Sequence, residues 1–203
     1  MTDGAGAVAE CVVTGVRPGV VEFAVLARRA EPRAEPRVVV VQAIPKGDRG
    51  ELAVEIMTEV GVDAVVAWQA ERCVARWRGD RAARALGRWQ ATAREAAKQS
   101  RRAWIPEVTG PEEMPAIARR VAAADRAILL DPGAPAALSH TGLPGRGEIL
   151  VIVGPEGGVS PAEADQAIAA GAVPARLGPT VLRSSSAGAV AAALALAGSG
   201  RWA

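Results

Sequence analysis

The chain has 203 residues, half of them hydrophobic and 23% charged, with a formal net charge of +2. That composition excludes wholesale disorder, and a chain this long buries roughly 70% of its extended surface without needing a disulfide or metal staple. A single histidine, no tyrosine and two cysteines (Cys11 and Cys73) exclude polyimidazole metal centres, a disulfide framework and a stacking sheet of the ribonucleoprotein type.

No basic stretch followed by an apolar core opens the chain, and the longest apolar run, residues 187–197, is too short to cross a bilayer. The expectation is a soluble, cytoplasmic protein without a metal. Residues 1–37 are loosely patterned, with strand signals at Val12-Val13 and over residues 20–26. The Glu-Pro-Arg-Ala-Glu-Pro-Arg run at 31–37 then reads as an extended linker, because each proline biases its predecessor away from helix. Residues 38–43 form an apolar run of strand length. Asp48 is placed to cap a helix that reaches Val60 and is closed by Gly61, and residues 62–68 form a second strand. Strand–helix–strand alternation argues for a parallel sheet covered by helices.

Residues 80–100 predict a long amphipathic helix, with Ala82, Ala85, Leu86, Trp89, Ala93 and Ala96 on one side and Arg81, Arg84, Arg88 and Arg102 on the other. Gly110-Pro111-Glu112-Glu113 reads as the opening of a further helix, with proline in its first turn. A short strand at 127–130 precedes a proline- and glycine-rich loop to Gly147, and residues 148–153 are the cleanest buried strand. Ser160-Pro161-Ala162-Glu163 is a capping box for a helix to Ala170. A strand at 173–177, a serine-rich turn and a small-residue helix over 186–197 complete the pattern.

Net charge hides an asymmetry. Between Glu71 and Arg102 ten basic residues face three acids, so this segment carries +7 and the remainder −5. A polyanion-facing surface on an acidic body has this distribution, as does a solvated arginine-rich helix face.

Three segments carry chemistry. Val153-Gly154-Pro155-Glu156-Gly157-Gly158 follows a buried strand, where glycines let the backbone approach a ligand, and the crevice beyond such strand ends is the usual ligand site of an open α/β sheet. It matches neither the dinucleotide fingerprint nor the phosphate loop, which disfavours a nucleotide-dependent oxidoreductase. Leu177-Gly178-Pro179-Thr180-Val181-Leu182-Arg183 repeats the design, with Arg183 alone among small and apolar residues. That arginine either pairs with an acid such as Glu156 or binds an anionic or carbonyl-bearing substrate. The third segment, Glu95-Ala96-Ala97-Lys98-Gln99-Ser100-Arg101-Arg102, ends the basic helix, with Glu95 and Gln99 on one face.

In order and spacing these three segments, with Ile105-Pro106-Glu107 and Glu71-Arg72-Cys73, resemble the bacterial 16S ribosomal RNA uridine-N3 methyltransferases (RsmE type) of the SPOUT superfamily. The resemblance covers residues 38–197. It implies an α/β SPOUT domain over residues 38–203 with a C-terminal trefoil knot, an exception to the rule that chains do not thread loops. It implies a truncated PUA-like β segment with its linker over residues 1–37. It further implies S-adenosylmethionine as cofactor, 16S ribosomal RNA within the 30S subunit as partner, and a homodimer. Carried over by position, the cofactor would meet Leu130, Pro132, Val153, Gly154, Pro155, Glu156, Gly157, Gly158, Leu177, Gly178, Leu182 and Arg183. RNA would meet Arg81, Arg84, Arg88, Gln99, Arg101 and Arg102.

Two departures stand out. Only the tail of the family's N-terminal barrel is represented, beginning at Asp3-Gly4, so the chain reads as starting late. After Leu182-Arg183, where many members have Thr-Glu-Thr-Ala, this chain has Ser184-Ser185-Ser186-Ala187, and the serines are expected to cap the helix. The expected catalytic groups are Arg183, Arg102 and Glu156, the arginines stabilising a developing uridine anion, with His140 a surface residue. Two other readings stand beside this one: ribose 2′-O-methylation on the same fold, and an RNA-binding domain without turnover.

Overall fold

The computed structural model describes residues 1–203. An antiparallel ribbon, β1 (Ala7–Arg17) and β2 (Val20–Ala30), opens the chain and turns at Pro18-Gly19. The ribbon touches the rest of the molecule only at its base. There Gly6 N–H donates to Ala103 O (3.1 Å), Ile105 N–H to Gly4 O (3.0 Å) and the Trp104 indole to Glu31 O (2.8 Å). Its distal apolar residues stay in water, Val16 at 72% and Leu26 at 63% exposure. Residues 31–36 form no element, as the proline pattern predicts.

The body is a six-stranded sheet in the order β5-β4-β3-β7-β6-β8, every neighbouring pair parallel. Its strands are β3 (Arg37–Ala43), β4 (Ala64–Trp68), β5 (Glu107–Glu112), β6 (Arg126–Leu130), β7 (Glu148–Val153) and β8 (Val173–Ala175). Parallel strands need crossovers, and five helices supply them or follow the last strand: α1 (Arg49–Val60), α2 (Gly79–Gln99), α3 (Met114–Ala123), α4 (Pro161–Ala169) and α5 (Ser184–Gly198). Helix α1 packs on α2 and α5, and α3 packs on α4. The central strands are therefore covered on both faces, which explains why Val38–Val41 and Ile149–Val153 are continuous apolar runs, each residue at most 2% exposed.

Three expectations are corrected. Residues 110–112 do not open a helix: they belong to β5, where Gly110 takes φ 109° at a register shift and Glu112 pairs with Trp68 of β4, and α3 starts at Met114 with Pro115 in its first turn. Asp48 occupies the N-cap position of α1 without a side-chain bond, whereas Gly61 does close that helix in the left-handed region, at φ 115°. The second and last strands are shorter than their apolar runs, starting at Ala64 and ending at Ala175, because only those residues find ladder partners.

A buried ion cluster ties the ends of the elements together. Asp63 accepts from the Val38 N–H (2.8 Å) and pairs with Arg201, which also donates to Pro36 O (2.9 Å). Arg102, only 13% exposed at its side chain, donates to Thr58 O (2.8 Å) and Val62 O (2.7 Å) and lies 4.0 Å from Asp63. Burial, and then the nearby Arg201 charge, pull its pKa below the ordinary arginine value, while Asp63 opposes the fall. Arg102 thus closes the carboxyl end of α1 instead of facing solvent with Arg81 and Arg84. Arg102→Ala is expected to strip Val62 O of its donor, leave Thr58 O only the Gly61 N–H, remove a charge from beside Asp63 and cost about 3 kcal/mol. Thermal unfolding should then move down by roughly 6–12 °C for a domain of this size.

Candidate active site

The carboxyl ends of β6, β7 and β8 open into one cavity of about 550 Å³, within the range of small-molecule sites. Leu130, Asp131 and Pro132 leave β6 along one wall. Gly154, Pro155, Glu156 and Gly158 follow Val153 along a second, and Leu177, Gly178, Leu182 and Arg183 follow β8 along a third. The two glycine-bearing segments singled out in the sequence therefore meet around one space, though they lie on different strands. Of the residues assigned there by sequence, Gly157 alone is off the wall: it faces Arg72, whose Nη1 donates to its carbonyl at 3.2 Å.

Glycine is required locally. A Cβ on Gly154 would stand 2.7 Å from Val159 Cγ2, and Gly158 sits at φ +75° where its N–H closes a turn onto Pro155 O at 2.9 Å. Directly after this turn the α4 capping box forms in full, Ser160 and Glu163 exchanging bonds. Glu163 Oε1 also accepts from the Glu71 N–H at 2.8 Å, which holds the start of the basic segment against the same loop.

One hydroxyl joins the two walls. Ser184 Oγ donates to Gly154 O (2.9 Å) and accepts from Gln42 Nε2 (2.9 Å) at the end of β3. The serines therefore do not cap α5 as expected: its N-cap position is Arg183, no side chain caps it, and the first serine faces inward to the Gly154 carbonyl. The wall after β8 is held by Arg176, whose Nη1 donates to Ala134 O (2.8 Å) and to Pro135 O.

Arg183 is exposed at the rim and forms no ion pair, so its pairing with Glu156 is absent; Glu156 instead accepts from the Lys46 N–H at 3.4 Å. Arg102 is absent from the cavity wall. Arg81, Arg84, Gln99 and Arg101 are exposed, Arg88 is bound through Nε to Glu51 (2.8 Å), and His140 lies in the exposed loop. Sequence reasoning missed Asp131, Arg176, Thr180 and Ser184 as lining residues. Asp131 was findable as the first polar residue after an apolar strand, whereas Ser184 depends on a partner 142 positions away. Ser184→Ala, by removing the tie between the walls, is expected to weaken small-molecule binding in this cavity about ten-fold with the fold intact, measurable by titration calorimetry beside a melting curve.

The family model for an RNA methyltransferase domain matches residues 32–196. The Mycobacterium bovis protein named ribosomal RNA small subunit methyltransferase E is 47% identical over 193 residues, covering 93% of this chain and 74% of the relative. Its Bacillus subtilis namesake is 30% identical over 187 residues, covering 88% and 73%. Among solved structures, ribosomal RNA small subunit methyltransferase E from Neisseria gonorrhoeae, bound to S-adenosyl methionine, superposes with a TM-score of 0.83 at 27% identity, covering 97% of this chain and 81% of that one. The chain belongs to the RNA methyltransferase domain family, among the ribosomal RNA small subunit methyltransferases E.

Proposed function

We propose that this protein transfers the methyl group of S-adenosylmethionine to N3 of an unpaired uridine in 16S ribosomal RNA. The observation that carries the reading is the convergence of the 154–158 and 177–183 loops on one cavity at the strand ends.

The residues present suit the cofactor. Backbone groups of two glycine-bearing turns can take the adenine edge without a charged side chain, and Leu130, Val153, Leu177 and Leu182 offer an apolar bed for its ring. The carboxylates of Asp131 and Glu156 supply the negative charge that a sulfonium and an ammonium group need. When bound, S-adenosylmethionine supplies an electrophilic methyl group.

The chain's own residues then do three things. The apolar walls exclude water from the reacting atoms. Arg183, unpaired at the rim, stabilises the negative charge that grows on the uracil oxygens as the N3–H bond breaks, and Glu156 or Asp131 accepts that proton. With the methyl donor held by these loops, its methyl carbon would be the electrophile for N3, and the walls that fix both partners would carry much of the rate through positioning. A uridine can enter only if it is unpaired or flipped out. Arg102, held by the Thr58 and Val62 carbonyls, drops out of the chemistry.

Further parts of the reading concern assembly. The segment from β6 through α5 forms the trefoil knot of SPOUT enzymes, which is supported by the contact of Ser184, after β8, with the loop that follows β7. Residues 1–37 are the PUA-like portion and residues 38–203 the catalytic domain. The enzyme acts as a cytoplasmic homodimer on the 30S subunit, with Arg81, Arg84 and Arg101 on phosphates.

Incubating protein, cofactor and 16S RNA and digesting to nucleosides should yield 3-methyluridine by mass spectrometry; 2′-O-methylated nucleosides in its place would overturn the site of transfer. Arg183→Ala should lower single-turnover methylation about 10²–10³-fold while changing cofactor affinity far less. Replacing Arg81, Arg84 and Arg101 together by alanine should weaken RNA binding and flatten the slope of log K against log[salt] by about 2, the value for three lost single-strand phosphate contacts.

A further inference from the structure

A second hollow, of about 190 Å³, lies beside the active-site cavity and is built quite differently. Its floor is aromatic. Trp89 is buried against the α1 backbone so closely that a Cβ on Gly50 would stand 2.6 Å from its ring. Trp77 meets it edge to face, with centroids 5.0 Å apart and planes at 73°. Trp77 is half-buried, and its backbone N–H is fixed by Gln69 Oε1 at 2.8 Å, but its indole N–H donates to nothing in the chain. Above this floor stand Arg88 and Glu51, joined by the single Nε–Oε1 bond at 2.8 Å. That bond leaves both guanidinium Nη groups and the second carboxylate oxygen without partners in the protein.

A partly exposed indole, here Trp77, with donors and an acceptor beside it is the chemistry that recognises a heterocyclic base: the ring stacks, and the polar edge pairs. The position fits as well. The Pro45–Gly47 turn lines the hollow, and Lys46 N–H within it bonds Glu156 on the cavity wall. Arg72, which begins the stretch leading to Trp77, bonds Gly157 O in the same loop. One turn of chain therefore separates the two spaces. The surroundings are cationic, with Arg76, Arg78, Arg81 and Arg84 all exposed.

We infer that the Trp77–Arg88 hollow is a second base-binding subsite, which takes an unpaired nucleobase flanking the uridine that enters the main cavity. Two bases splayed into neighbouring sites fix the register of the RNA strand, and so set which uridine is presented. Stacking on a half-buried tryptophan tolerates many bases, while the Arg88–Glu51 edge favours those offering both a donor and an acceptor. The inference rests on the RNA methyltransferase reading given above.

Three variants test it with 16S RNA as the probe: Trp77→Ala, which removes the floor; Ala75→Met, which fills the hollow from its wall with both tryptophans in place; and Arg88→Ala, which removes the polar edge. Each should raise the KM for RNA by about ten-fold or more and lower kcat by much less, with S-adenosylmethionine affinity from calorimetry unchanged. RNA binding should quench tryptophan fluorescence in the wild type and less so in Trp77→Phe. Should Trp77→Ala prove misfolded in a melting curve, Ala75→Met and Arg88→Ala decide alone. Wild-type KM in those variants overturns the subsite, as does an equal loss of cofactor affinity, which would mark Trp77 as packing only. Wild-type protein that methylates no uridine in 16S RNA would instead sink the functional reading, a result separate from active enzyme indifferent to the three substitutions.

Discussion

Three stretches of chain meet at the hydroxyl of Ser184. It reaches Gly154 O after β7, receives Gln42 from β3, and itself begins α5. A buried hydroxyl with both its donor and an acceptor position used is a rigid joint, since leaving any partner unmatched inside the protein costs more than the bond itself contributes in water. Because Gly154 begins one wall of the cavity and Ser184 ends another, the joint sets the width of the space between them. The covered β3–β7 pair supplies a base that cannot yield, and the glycines supply the closeness that the joint demands.

How much of this was legible in the sequence follows from how local each cause is. β7 and its Gly-Pro-Glu-Gly-Gly turn were plain, because a strand covered on both faces must be apolar throughout and the loop after it must be small. β5 was not, because Glu107–Glu112 contains glycine, proline and two acids, and is an edge strand stabilised by its ladder with β4 rather than by its own residues. Sequence pattern sees the first kind of cause and misses the second.

The same distinction separates the arginines. Arg183 was singled out because its neighbours are small and apolar, and it stands free at the rim of the cavity. Arg102 was singled out by a motif at the helix end, and its neighbours in sequence say nothing of the Val62 and Thr58 carbonyls that hold it, which lie 40 and 44 positions away. A charged residue in a basic run looks like surface until its long-range partners are known. The long-range pairing of Asp63 with Arg201, 138 positions apart, was invisible for the same reason.

The position of Ser184 after every strand of the sheet also governs when the cavity can exist during synthesis. The ribosome delivers β3, β4 and β7 well before α5, so a sheet core can gather while the polypeptide is still attached. The wall that depends on residues 177–184 emerges after all six strands of that sheet. A nascent chain of this protein therefore has its scaffold before it has a binding site, and the ability to hold a methyl donor arrives only once residues 177–184 have joined that scaffold.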